Sequence, residues 1–252
     1  MILTPDKSKA LSEFKEKLFQ MPYQPGLKLP LDAPLEVETA PRYVSRGGAK
    51  LEPALAALGV DPAGRDAWDV GASTGGFTQV LLAAGARRVI ALDVGRGQLD
   101  WSLRNDPRVT VLDRVNARLV VPEDLPFRPQ LAVVDVSFIS LELVLPAVVG
   151  CLDPPGDVVA LVKPQFEVGR GKVGRGGIVR NPALHEEVLR RLAAFAVSRS
   201  LRVAGLVASA LRGAEGNVEF FMHFRTSGAD LDAGILEDRI QAALAAARQE
   251  EP

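Results

Sequence analysis

The chain has 252 residues, 47% of them hydrophobic, enough to bury a full core in one α/β domain with a short appendage. Its formal charge of −1 excludes a global attraction to nucleic acid, so any RNA affinity has to come from local basic clusters. The single Cys151 excludes an internal disulfide, and the start lacks a secretory pattern. The most apolar stretch, 131–152, is interrupted by Asp135, Glu142 and Pro146, unlike a membrane span, so a soluble cytoplasmic protein is expected.

In chain order, residues 7–20 carry apolar groups at helical spacing, and Pro22 and Pro25 stop that helix before a strand-like run at 35–38. Residues 1–42 read as a short appendage and 43–252 as the main domain. Strand-like runs then occupy 67–70, 88–94, 109–112, 130–136, 157–164, 202–209 and 217–224. Helical stretches fall between them at 75–85, 98–104, 140–152 and 183–199, and a last one follows at 231–247. Continuous Val, Ile and Leu runs separated by helices describe a parallel sheet covered on both faces. The run at 217–224 follows 202–209 too closely for a crossover helix, so these two strands should pair antiparallel. The expected architecture is α/β: a doubly wound, mostly parallel seven-stranded sheet with one antiparallel strand near its edge.

In such sheets ligands bind beyond the carboxyl ends of the strands, and the turn after the first strand is the usual Gly-rich loop. Here that turn runs from Asp69 through Gly71, Ser73, Gly75 and Gly76 to Phe77, and leads into a helix whose first N–H groups are free. Its spacing is not G-x-G-x-x-G, which argues against a nicotinamide cofactor. Asp93 closes the next strand, where a carboxylate can accept both hydroxyls of a ribose. An adenosine-containing cofactor follows. Asp113 and Asn116, after the third strand, could hold the adenine, although such residues are as often turn formers.

Asp135 and Lys163 end the fourth and fifth strands and so face one crevice. Glu219 lies within the apolar run at 217–224, where a carboxylate needs a cation, and Lys163 is its expected partner. Lys50, at the mouth of the first covering helix, adds a second ammonium. A lysine base at neutral pH needs a depressed pKa, which a neighbouring ammonium and desolvation favour. From these residues alone, a structural Lys163–Glu219 ion pair explains the pattern equally well, and Lys50 alone would read as a solvated lysine.

The segments YVSRGGAKLE, DVGASTGGFT, ALDVGRGQLDWSLRNDPRV, VDVSFISL, LVKPQFEVGR and EGNVEFF resemble the TlyA (haemolysin-A-like) ribosomal RNA methyltransferases, of the wider FtsJ-type class. The resemblance runs from about Tyr43 to Phe224 and is nearly gap-free. It implies a Rossmann-like S-adenosylmethionine methyltransferase fold, S-adenosyl-L-methionine as cofactor, and Lys50, Asp135, Lys163 and Glu219 as a catalytic tetrad. It also places Gly71 to Phe77, Asp93 and Asp113 at cofactor-binding positions, and implies methylation of a cytidine 2′-hydroxyl in ribosomal RNA. The family usually begins with a small RNA-binding domain. Here LPLDAPLEVETAP resembles that domain's closing strand, and the rest of the appendage looks like a remnant.

The run from Val168 to Arg180 carries Arg170, Lys172, Arg175 and Arg180 among glycines, a composition suited to a mobile phosphate-binding lid. Arg42, Arg46, Arg170, Lys172 and Arg175 are the expected RNA contacts, on ribosomal RNA within a subunit or assembly intermediate. His185 and His223 show no metal-ligand spacing, so no metal is expected. Trp68 and Trp101 read as packing residues. The rival functions are a non-catalytic RNA or ribosome binder that keeps the cofactor pocket and, less in keeping with the sequence, a haemolysin.

Overall fold

The computed structural model describes residues 42–249 apart from 170, 214 and 230. The helix expected at 7–20, the strand at 35–38 and the appendage they define lie outside the described residues, which leaves Arg42 as the appendage's one described position.

The described chain runs α1 (Arg46–Leu58), β1 (Asp66–Val70), α2 (Gly76–Ala83), β2 (Arg88–Asp93), α3 (Trp101–Arg104) and β3 (Val109–Asp113). It continues through β4 (Leu131–Val134), α4 (Leu141–Cys151), β5 (Asp157–Val162), α5 (Pro164–Glu167), α6 (Pro182–Ser198), β6 (Arg202–Ala208), β7 (Phe220–Arg225) and α7 (Ala233–Gln249). The seven strands form one sheet in the order β3-β2-β1-β4-β5-β7-β6. The pairs among β1 to β5 are parallel, and β7 runs antiparallel to both β5 and β6. The order reverses between β1 and β4, and the crevice above their carboxyl ends is where this class of sheet binds ligands.

Alternation along the strands divides the core in two. In β1, Trp68 and Val70 face one layer, which continues into Leu141, Leu145 and Val148 of α4 and Leu189 and Leu192 of α6. Ala67 faces the other, filled by Leu51 and Leu55 of α1 and Phe77 and Leu81 of α2. All five β1 residues are buried, as a central strand covered on both faces requires, and each large apolar side chain so removed from water contributes about 1.5–3 kcal/mol. α1 stops at Gly59, whose φ of 65° supplies a left-handed cap.

Two expectations are corrected. Glu219 does not lie inside a strand; it immediately precedes β7, although its carbonyl still accepts the N–H of Ser209 across the ladder at 2.9 Å. Trp68 is fully buried, but Trp101 is 78% exposed on the first turn of α3, because that one-turn helix has no room to turn a large ring inward while Leu103 fills the core.

Candidate active site

The cofactor end is built by backbone. Gly71 leaves β1 with φ of 89°, and a Cβ there would press into the carbonyl oxygen of Asp135, so only glycine lets β1 and β4 diverge this tightly. The N–H groups of Gly71 and Ala72 both donate to the Leu92 carbonyl, tying the turn to β2. Asp93 receives the N–H of Ser73 on Oδ2 at 2.8 Å and that of Gly95 on Oδ1 at 2.7 Å. Each carboxylate oxygen keeps a second lone pair, so the acid is fixed in orientation and can still accept ribose hydroxyls. Gly76 permits the start of α1 to approach: a Cβ there would strike Ser45 Oγ and the Gly48 nitrogen.

Asp69 is fully buried. Its Oδ2 accepts the Thr78 N–H and hydroxyl at 2.8 and 2.7 Å, while Oδ1 is buried without a partner. Burial above all, reinforced by the charges of Asp135 and Asp93, pushes its carboxyl up to about 7 against the Thr78 hydrogen bonds. The cleft above this turn has a volume of about 380 Å³ and is lined by Ser45, Lys50, Gly71, Ser73, Phe77 and Asp135, among others. Glycines at its wall, Asp93 bonded to its lining residue Ser73 with lone pairs to spare, and the orphaned Asp69 two residues before Gly71 fit a cationic, ribose-bearing cofactor. The loop after β3 closes on the same rim, with Arg114 N–H bonded to the Gly95 carbonyl and Val115 N–H to that of Asp93. Asp113 there accepts the Gly97 N–H at 3.2 Å and pairs with Arg104 at 3.0 Å, and Asn116 accepts the Arg118 N–H.

At the acceptor end, side chains from four separate elements converge. Lys50, projecting from α1, reaches Glu219 with Nζ to Oε2 of 2.6 Å, both groups buried. Lys163, at the end of β5, pairs with Asp135 at 2.5 Å and donates to Ser137 Oγ at 3.0 Å. The expected Lys163–Glu219 pair is therefore corrected to two crossed pairs: α1, whose close approach Gly76 permits, carries Lys50 onto Glu219 and leaves Lys163 to Asp135. The pairs remain coupled. Burial raises the Glu219 carboxyl above its ordinary range, Lys50 and Lys163 oppose the shift, and Asp135 adds to it.

Three further residues escaped the sequence reading. Phe138, three residues after Asp135, is 90% exposed, sits at a φ of 62° uncommon for an aromatic residue, and packs on Phe166 with ring centroids 4.8 Å apart. Glu167, buried in α5 four residues after Lys163, accepts the Ser140 hydroxyl, the Leu141 N–H and Arg191, which ties the start of α4, just past the loop of Asp135 and Phe138, to the segment that follows β5. Buried Asn217 accepts the Val179 N–H and donates to the Gly177 carbonyl, and His185 bonds the Val179 carbonyl at 2.8 Å. The far half of the glycine-rich run is thus pinned. No local pattern marked Glu167 or Asn217: one stands four residues after Lys163 and the other two before Glu219, and each role appears only with the segment it holds.

The expected RNA contacts are dispersed. Arg42 pairs with Glu52, Lys172 pairs with Glu187 at 2.7 Å, and Arg175 is exposed in a short 3-10 turn. Arg46 lines the cleft and donates to the Arg212 carbonyl at 2.9 Å, while Arg170 lies outside the described residues. No helix among the described residues is long and apolar enough to cross a membrane.

A seven-stranded sheet with one reversed strand, opening a glycine-walled cleft at its switch point, defines the class of S-adenosylmethionine-dependent methyltransferases. A solved S-adenosylmethionine-dependent methyltransferase from Mesorhizobium loti, 15% identical, shares that fold with a TM-score of 0.51 over 70% of this chain and 97% of its own. The FtsJ-like methyltransferase family model matches residues 43–226, and the chain belongs to that family. The 16S/23S rRNA (cytidine-2′-O)-methyltransferase TlyA of Mycobacterium tuberculosis is 52% identical over 80% of this chain and 76% of its own. A solved structure from Streptococcus thermophilus that carries a hemolysin designation is 45% identical, with a TM-score of 0.77 over 84% of this chain and 76% of its own. The chain is accordingly an enzyme that uses S-adenosyl-L-methionine.

Proposed function

We propose that this enzyme methylates the ribose 2′-hydroxyl of a cytidine in ribosomal RNA, acting in the cytoplasm on a subunit or assembly intermediate. The observation that carries the reading is the pair of crossed lysine–carboxylate contacts at the mouth of the cofactor cleft, Lys163–Asp135 and Lys50–Glu219. The name of the M. tuberculosis relative supplies the nucleotide and the RNA.

When bound, the cofactor supplies an electrophilic methyl on a sulfonium. Asp69, Asp93 and the turn from Gly71 to Phe77 would hold it, and Asp113 and Asn116 would receive its base. Lys163 Nζ would take the proton of the 2′-hydroxyl, leaving the oxygen nucleophilic toward the donor's methyl with a neutral thioether as leaving group, and the Asp135 carboxylate would keep the resulting ammonium paired. Lys50 and Glu219 fix the charge balance behind them. Positioning of the hydroxyl by these residues would contribute much of the rate. Phe138 offers an exposed ring on which the acceptor base stacks once it leaves its neighbours. Arg46, Arg170 and Arg175 meet the phosphates, joined by Arg42 and Lys172 if their carboxylate partners yield.

The test is transfer of labelled methyl to ribosomal subunits and naked ribosomal RNA, followed by mapping of ribose methylation. Label at one cytidine 2′-oxygen is expected, more strongly on particles than on naked RNA. Label on a base, or none on either substrate, would overturn the reading.

A further inference from the structure

A second cavity, of about 460 Å³, opens beside the tetrad between the start of α6, the end of α7 and the segment that leads into β7. Three arginines, Arg180, Arg212 and Arg248, line it over an apolar floor that includes Ile178, Val218 and Leu244, and among the described residues no carboxylate lines it. In a chain of net charge −1 such a local excess of guanidinium is the kind of cluster anion binding requires. Among the described residues Arg180 and Arg248 have no hydrogen-bonded or ionic partner, whereas Arg212 donates to the carbonyls of Gly216 and Ala247. The wall is built rather than loose. Val179, next to Arg180, is held by buried Asn217 on its N–H and by His185 on its carbonyl.

The cavity is joined to the catalytic cleft in two ways. Val218 of its floor and Glu219 of the tetrad are consecutive residues. Arg46, which lines the cofactor cleft, reaches across to the Arg212 carbonyl at 2.9 Å, so a line of positive charge runs from the cleft over Arg46 to Arg212, Arg180 and Arg248.

We infer that this cavity is a second RNA subsite: it takes a nucleotide unit of the acceptor strand flanking the methylated one, its phosphate on Arg180 and Arg248 and its base against Ile178, Val218 and Leu244. Guanidinium groups match phosphate oxygens in planar, bidentate geometry, and an apolar floor accepts any base face. The inference rests on the RNA methyltransferase reading, and it extends the anchoring from Arg180, the last residue of the glycine-rich run, to Arg248 of α7.

The experiment measures RNA binding across a salt series, steady-state methylation and cofactor binding for the wild type and for Arg180→Ala/Arg248→Ala. With two phosphate-facing charges removed, the slope of log affinity against log salt should fall by roughly 1.4, at about 0.7 per single-strand contact. KM for RNA should rise about tenfold or more, with kcat and cofactor affinity kept, and Arg180→Lys/Arg248→Lys should recover part of the slope. An active wild type whose double-alanine variant keeps its salt slope and KM would overturn the subsite while leaving the proposed function standing. Loss of cofactor affinity in the double-alanine variant would overturn it too, by showing that the arginines hold the fold. A wild type that binds cofactor but transfers no methyl to RNA would instead remove the reading on which the subsite depends.

Discussion

The two ends of the active site are made in different ways. The cofactor end consists of main-chain geometry from a short stretch of chain, with glycines at Gly71 and Gly76, N–H groups donated to Leu92, and one acid, Asp93, gripped by Ser73 and Gly95. The acceptor end consists of side chains carried by α1, the ends of β4 and β5, and the approach to β7, and it is held by ion pairs across 169 residues in the case of Lys50 and Glu219. A backbone-built site tolerates side-chain changes and fails when a conformation is lost. A side-chain-built site fails group by group, and each failure leaves a charge without its partner.

The largest separation of the two ends comes from Lys163→Ala. Methyl transfer should fall by at least about 1000-fold, within the range for loss of a proton-transferring group, while calorimetry finds cofactor affinity within about twofold of the wild type. Near-normal turnover would make Lys163 only the partner of Asp135. Next in size is Lys50→Met, which strands the buried Glu219. Denaturant unfolding should show a loss of about 3–5 kcal/mol, greatest at high pH where Glu219 has to ionise, and Lys50→Met/Glu219→Leu should restore most of it. Equal losses in the single and double variants would show that the pair contributes nothing as a pair.

At the cofactor end, Asp69 gives a smaller, pH-dependent effect. Its folded pKa of about 7 lies above that of the unfolded chain, so its contribution to stability is present below about pH 4 and lost as pH rises through 7. Asp69→Asn should therefore gain on the wild type between pH 4 and 8, on the order of 1 kcal/mol per unit at most. Saturating cofactor should close the gap, since a cationic ligand favours the ionised acid. A pH-independent difference would place the charge elsewhere. Smallest is Phe138→Ala, expected to raise KM for RNA roughly tenfold through lost stacking, with cofactor affinity unchanged. An unchanged KM would leave Phe138 as a partner of Phe166 alone.

The same contrast explains what was legible in the sequence. Strand runs, their alternation with helices, the antiparallel return of β7 and the glycine turn with Asp93 are all local patterns, and the fold realises them within a few residues. Partner choice is not local. Nothing in the order of Lys50, Asp135, Lys163 and Glu219 says which lysine meets which acid, and the answer depends on how closely the start of α1 approaches α2 at Gly76. Glu167 and Asn217 were invisible for a related reason: each acts by holding another segment's backbone, and a residue type reveals that only once the segments are adjacent. Trp101 was misread because composition favours burial of a tryptophan and cannot see that a one-turn helix leaves it outside.

The position of β7 has a consequence for when the enzyme can first work. β5 ends at Val162, yet its outer neighbour in the sheet is β7, which begins only at Phe220 and slips between β5 and β6. During synthesis the glycine turn, Asp93 and Lys163 are all made while the edge of β5 still lacks its neighbour and Lys50 has no acid to meet. Glu219 arrives directly before the strand that closes the sheet. A nascent chain can thus assemble the place for the methyl donor early, but the acceptor site becomes complete only with the last strand, which ties the onset of activity to the completion of the fold.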